Sequence, residues 1–431
     1  MFRISNIINE LHLHQKRQRG AALMVMLVIL ILGGTAMLLS SLNSTTPRLA
    51  RDKVTADALV QAKEALIGYA ANANTPGQLP CPENTNLIGS STEGTASSSC
   101  TLPKIGRLPW RTLGIGSIRD GNGELLWYVI SPGFRTSPIN SDTPAQLTVD
   151  GIPNSAVAII FSAGPPINGQ TRPIPTDTSP PVITQYLELS NNDGDDTFIS
   201  NGSANIFNDR LLLVTHNDLF RVVEKRVAAE VKQCLNEYSA YPQNSRRYPW
   251  PAKLNPLAAV SYNDTTNQLF GRIPDTLFSN TCLDSGGYLI DPVLVPSPPG
   301  PPVPGSNSCN LLPTTGMNNT WTGACTIISS SGWWLNWKEM VFFGIADSYK
   351  PTYPLNAPSC GTCISVNPPS ANVDKKFVVI VAGKKLTGQA RSTIAEKGDR
   401  SNYLEGINAN GATPFEQKPN SPTFNDTVVF Q

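Results

Sequence analysis

The chain has 431 residues, only 15% of them charged, and its formal net charge is +1. That length accommodates two or three domains with sizeable cores. The near-neutral balance carries neither the basic stripe of a nucleic-acid binder nor an acidic tail, so nucleic acid is not an expected partner.

Residues 1–20 read MFRISNIINELHLHQKRQRG and set Arg3, Lys16, Arg17 and Arg19 against Glu10. Residues 21–42, AALMVMLVILILGGTAMLLSSL, carry no charge. About 20 apolar residues in a helix cross a bilayer core. The basic cluster precedes the apolar run, so the N-terminus is expected on the cytoplasmic side and the chain from Asn43 outside the inner membrane. A cleaved secretory signal and a permanent signal anchor are the competing readings. LLSSLNSTT after the apolar run is a poor small-x-small cleavage site. Gly33-Gly34 interrupts the apolar stretch, either as a hinge or as a close-packing point between helices.

All eight cysteines, Cys81, Cys100, Cys234, Cys282, Cys309, Cys325, Cys360 and Cys363, follow that stretch. In an oxidising compartment they read as up to four disulfides. Cys81–Cys100 and Cys309–Cys325 would close short loops and leave Cys234 for Cys282. Cys360-Gly-Thr-Cys363 is a single CxxC with no helix signal after it, which leaves structural, metal and redox readings open, the structural one favoured.

An internal duplication organises the remainder. LIGYAANANTPGQLPCP (66–82) aligns without gaps with LNEYSAYPQNSRRYPWP (235–251). Gly-Arg-[Leu/Ile]-Pro recurs at Gly106–Pro109 and Gly271–Pro274. AIIFSAGPPINGQTR (158–172) matches FVVIVAGKKLTGQAR (377–391). Tyr-Leu-Glu begins at Tyr186 and Tyr403, and Phe-Asn-Asp at Phe207 and Phe424. Each copy begins with an amphipathic helix. In the first, Leu59, Lys63, Leu66 and Tyr69 recur at helical spacing. In the second, Phe220, Val223, Val227, Val231, Cys234 and Tyr238 do so, with Thr215 or Asn217 as the cap. Strands are expected over 125–130, 157–161, 211–214, 340–343, 377–381 and 428–430. The stretch 291–309 is proline-rich and reads as an extended loop.

The junction at Gly20-Ala21, a basic run followed at once by Ala21-Ala22-Leu23, resembles the class III leader of type IV pilins and pseudopilins. ALIGYAA, LPCP, GRLPWRTLG, RDGNGELLWYVIS, GQAR and NYLEG resemble a group of proteobacterial prepilin-like proteins. The resemblance implies cleavage after Gly20 by the prepilin peptidase, methylation of Ala21, and other pilin or pseudopilin subunits as partners. Most major pilins carry glutamate at the fifth mature position. Here Val25 stands there, which points to a minor, priming or tip subunit.

The resulting expectation is an α+β chain. A leader (1–20) precedes a long transmembrane helix or assembly stem (21–42). Two tandem pilin-like modules (43–215 and 216–431) follow, each a helix packed on a small antiparallel sheet. The location expected is the inner membrane, single-pass, with periplasmic modules in a type IV pilus or type II secretion pseudopilus. The alternative is a membrane-anchored envelope adhesin outside any pilus, with no ligand indicated.

No catalytic constellation is legible. His12 and His14 lie in the leader, leaving His216, for which helix capping or a surface position is expected. The chain is therefore not expected to be an enzyme. Asn191, Asp193 and Asp195 sit at alternate positions with glycine between and offer a weak calcium site, against the simpler reading of an acidic surface turn. No other cofactor is indicated. The Gly164–Arg172 and Gly383–Arg391 stretches lack phosphate-loop spacing and read as turns the fold requires. Trp333, Trp334 and Trp337 suit a core or, alternatively, an exposed partner or glycan patch.

Overall fold

In a computed structural model, the described residues are 47–254 and 321–431 apart from residues 103, 168, 331, 352–357, 362 and 368–371. Between those stretches they are 262, 264, 268–275, 277, 282–283 and 289–290. The leader, the apolar segment with Val25 and Gly33-Gly34, and the loop 291–309 lie outside them.

Helix α1 covers residues 47–72. Its buried positions Thr55, Ala58, Leu59, Ala62, Leu66 and Ala70 form one stripe at spacings of three and four. Among the described residues sixteen strands follow in chain order. The first seven are β1 (Lys104–Arg107), β2 (Trp127–Ile130), β3 (Leu147–Val149), β4 (Ile152–Ala156), β5 (Ala158–Ser162), β6 (Thr197–Phe198) and β7 (Arg210–Val214). Helix α2 (His216–Ala240) comes next, opened by a capping box between Thr215 and Asp218. The others are β8 (Phe270–Arg272), β9 (Cys282–Leu283), β10 (Leu289–Ile290), β11 (Val341–Ile345), β12 (Ile364–Asn367), β13 (Asn372–Lys375), β14 (Phe377–Val381), β15 (Phe415–Glu416) and β16 (Thr427–Phe430).

The duplication recurs in the topology. One four-stranded antiparallel sheet runs β1-β2-β5-β7 and its counterpart runs β8-β11-β14-β16. Each unit also has a three-stranded sheet, β4-β3-β6 or β13-β12-β15, containing one antiparallel and one parallel pair. The hairpin β9–β10 and two short helices, Ile327–Ser330 and Trp334–Trp337, lie between β8 and β11.

In the first unit the large sheet is covered on both faces. Tyr128, Ile130, Ala158 and Ile160 face the core that holds α1 and α2 residues. Trp127, Val129, Ile159 and Phe161 face Leu147, Val149 and Phe198 of the small sheet. Side chains alternate across a strand, so burial of every residue in β5 requires a layer on each side. In the second unit α2 packs on β14 and β16, and β14 is likewise buried throughout.

This corrects the expected architecture. The chain is mixed α and β with several sheets. Among the described residues no helix is long and apolar enough to cross a membrane. Helix α1 carries seven charged residues from Arg48 to Glu64 and covers a sheet. The plan of one helix on one small antiparallel sheet is replaced by helix, large sheet and mixed small sheet. The small sheets escaped detection because strands of two to five residues in polar loops show too little alternation to register.

Candidate functional site

The expected processing site lies in the N-terminal segment, and α1 is the first described element after it. Residues 47–51 of α1 are exposed, and burial begins in earnest at Thr55. The helix is tied at three points to two elements. Asp52 Oδ1 meets Arg210 Nη2 on β7 at 2.7 Å. Lys63 Nζ meets Asp218 Oδ2 at the start of α2 at 2.7 Å. Burial opposes the charge on Asp218, but hydrogen bonds from Lys63 and Thr215 outweigh it and hold the carboxyl below its usual range. Arg226 Nη1 donates to the carbonyls of Ala71 and Ala73, both at 2.6 Å. Contacts advance along both helices together, so α1 and α2 lie side by side and run the same way.

Helix α2 also joins the two units. Glu224 sits on its buried stripe beside Phe220, Val223 and Val227. Ser141, in the loop between β2 and β3, donates its hydroxyl to Glu224 Oε1 at 2.8 Å, and Thr427 on β16 donates to Oε2 at 3.1 Å. Burial pushes Glu224 up to about 8 against these bonds, with Glu405 adding to the rise. His216 Nε2 meets the Ser141 carbonyl at 2.9 Å, which assigns the ring proton to that nitrogen. Burial, and next the charge of Lys384, lower His216 to about 4. Next to Ser141, Asp142 accepts from Arg391 Nη1 at 2.9 Å and from the Lys385 amide at 2.8 Å. Asn140 donates to the Asn336 carbonyl at 2.8 Å. One loop of the first unit is thereby hydrogen-bonded to the second at several points.

The recurring motifs meet in one buried node per unit. Gln170 donates to Glu188 at 2.7 Å, and Gln389 to Glu405 at 2.8 Å. Asn191 donates to Asp209 at 2.9 Å, and Asn408 to Asp426 at 3.0 Å. The amides of Asn208 and Asp209 donate to Glu188, and that of Asn425 to Glu405. Arg172 and Arg391 cap loop carbonyls and lie over the rings of Tyr186 and Tyr403, at 4.9 and 4.4 Å. Burial pushes Asp209 up to about 8, while burial and then Glu405 hold Asp426 well above the carboxylate range. These are structural nodes: most of their groups are spent on one another and on loop backbone, while one carboxyl oxygen each of Asp209 and Asp426 is buried without a hydrogen-bond partner.

The expected site residues fare unequally. Gly20 and Ala21 lie outside the described residues. Disulfides join Cys81–Cys100, Cys234–Cys325 and Cys360–Cys363. The Cys234–Cys325 bond replaces the expected Cys234–Cys282 and Cys309–Cys325 pairs, because α2 presents Cys234 to the turn that holds Cys325. Cys282 lies in β9, and Cys309 is outside the described residues. Asn191, Asp193 and Asp195 each make a separate hydrogen bond. Asn191 is buried with its oxygen accepting from the Ile199 amide, while Asp193 and Asp195 accept from the amides of Asp195 and Thr197 in exposed turns. Among the described residues no group of three or more His, Cys, Asp or Glu is placed to hold a metal ion. His216 is half-buried between the two units, held by the Ser141 carbonyl rather than standing free on the surface. Trp333, Trp334 and Trp337 are buried, which excludes the exposed patch.

Glu224, Arg226 and Asp142 were missed. Only Glu224 left a signal, as a carboxylate on an otherwise apolar helical stripe.

Comparison with known proteins yields no matching family model, no matching curated protein and no matching solved structure.

Proposed function

We propose that this chain is a minor or tip subunit of pilin-like kind, cleaved after Gly20 and assembled into a type IV pilus or type II secretion pseudopilus. The uncharged segment 21–42 holds it in the inner membrane before assembly, and the two related units stand in the periplasm. The observation that carries this reading is the junction. The Gly20-Ala21 boundary and apolar run lead within a few residues into α1, whose first turns are exposed and whose remainder is ion-paired to β7 and α2 and hydrogen-bonded at its end. A helix tied at three heights transmits load from an anchored segment to the body. Val25 in place of an acid argues for a minor position. Function is assembly rather than catalysis.

Mass spectrometry of the N-terminal peptide from membrane-extracted protein tests this. The expected product begins at Ala21 with a methylated amine. A chain beginning at Met1, or beyond Leu42, overturns it.

A further inference from the structure

The duplication supplies an internal control. Counting back along the helices from Leu66 and Leu235 places Asp52 opposite Arg221. Counting forward from Phe207 and Phe424 places Arg210 opposite Thr427. In the first unit Asp52 and Arg210 form an ion pair that closes the seam between α1 and the edge strand β7. In the second unit both members differ, and the acid is replaced by a cation. There the seam is an open groove of about 690 Å³, within the roughly 300–1,000 Å³ typical of ligand sites.

Arg221 and Lys225 line its helical wall, one turn apart, with Asn217 before them. Both cations are exposed, and among the described residues neither has a carboxylate within ion-pair distance. The opposite wall is the segment 417–420, with Lys418 paired to Glu416. Asn420 Nδ2 reaches Asn217 Oδ1 at 3.4 Å. Between the walls runs β16, the outer strand of its sheet. Its inner side bonds to β14. On its other side the Val428 carbonyl accepts from Gln417 Nε2 at 3.1 Å, so a side-chain amide stands where a neighbouring strand would donate.

We propose that this groove binds an extended peptide segment of a partner protein carrying carboxylates at alternate positions. Alternate side chains on a strand lie on one face roughly 6.5–7 Å apart. Residues one helical turn apart, such as Arg221 and Lys225, have Cβ atoms about 5–6 Å apart. Two acids in an acid-x-acid segment therefore match the two cations. The peptide backbone displaces Gln417 and pairs with the β16 edge, as in strand addition to an open sheet. Charge supplies orientation and encounter rate, and the edge supplies the backbone bonds. Neither the groove nor its occupant depends on where the N-terminus is cut.

The test uses the full chain purified in detergent and a fluorescein-labelled Thr-Asp-Val-Asp-Val peptide at low salt. Saturable binding is expected, weakened about tenfold by R221E/K225E, as the loss of two partly screened ion pairs implies. R221K/K225R should retain it, and a Thr-Asn-Val-Asn-Val control should lose it. Thermal melts of the variants separate lost binding from lost fold, and R221Q/K225Q replaces the reversal if that fails to fold. Absence of saturable binding overturns the proposal, as does binding indifferent to R221E/K225E. Equal displacement by inorganic phosphate reduces the groove to a simple anion site and overturns the peptide assignment. Binding of anionic-lipid vesicles, but not the peptide, with the same variant sensitivity assigns the surface to lipid instead.

Discussion

Arg226 of α2 donates one guanidinium nitrogen to the carbonyl oxygens of both Ala71 and Ala73, so the second helix closes the C-terminal end of the first. The last carbonyls of a helix lack intrahelical partners and carry its negative pole. Arg226 also pairs with Glu230 one turn on, which holds the guanidinium in place.

Arg226→Ala is therefore expected to destabilise the chain by about 2 kcal/mol, the range for hydrogen bonds from a charged donor. Calorimetry of the full chain measures this. A change of only a few tenths of a kcal/mol would show that the contact is idle.

Glu224 predicts a pH dependence. Its carboxyl, pushed up to about 8, is held neutral in the fold and ionises in the ordinary carboxylate range when unfolded. The stability it contributes is present in full below that range and is lost as pH rises towards 8. Asp209 acts in the same direction over the same window. His216, lowered to about 4, acts oppositely, and its contribution is lost as pH falls from about 6.5 to about 4. Glu224→Gln keeps an acceptor for Ser141 and offers Thr427 a donor. It should flatten the fall in melting temperature between pH 5 and 8.5. An unchanged slope would mean that Glu224 is not buried as a neutral acid.

Two glycines predict opposite outcomes. A Cβ at Gly383 would lie 2.4 Å from Asn425 Cγ and 2.7 Å from the Asn425 carbonyl oxygen, so Gly383→Ala should cost about 1–3 kcal/mol. Gly68 lies within α1 with nothing inside 4 Å, so Gly68→Ala should stabilise by about 0.5–1 kcal/mol. Urea titration of both variants checks the pair, and equal signs would contradict the packing described.

Peptide mapping without reduction should return Cys81–Cys100, Cys234–Cys325 and Cys360–Cys363. The Cys234–Cys325 link spans 91 residues, so on a chain-entropy account its removal as C234A/C325A should cost about 4–5 kcal/mol. A peptide joining Cys234 to Cys282 is the result that sinks this pairing.

The sequence alone determined whatever repeats between near neighbours. The stripe from Phe220 to Tyr238 specified α2. The unbroken apolar runs at Ala158–Phe161 and Phe377–Val381 specified the central strands, and the paired Gln-x-Arg, Tyr-Leu-Glu and Phe-Asn-Asp motifs specified the duplication. The stripe and the runs are local patterns read within a short window, and the duplication is read by aligning one copy on the other. That both faces of those strands are covered, and which segments cover them, was decided only in three dimensions. The small sheets join strands brought together by tertiary packing, such as Thr148 opposite Thr197. The disulfide partner of Cys234, the clamp of Arg226 on α1 and the place of Glu224 between Ser141 and Thr427 likewise join residues far apart in the chain. No local period encodes such pairings, because the free energy that selects them comes from burial and hydrogen bonding that exist only once the layers have assembled.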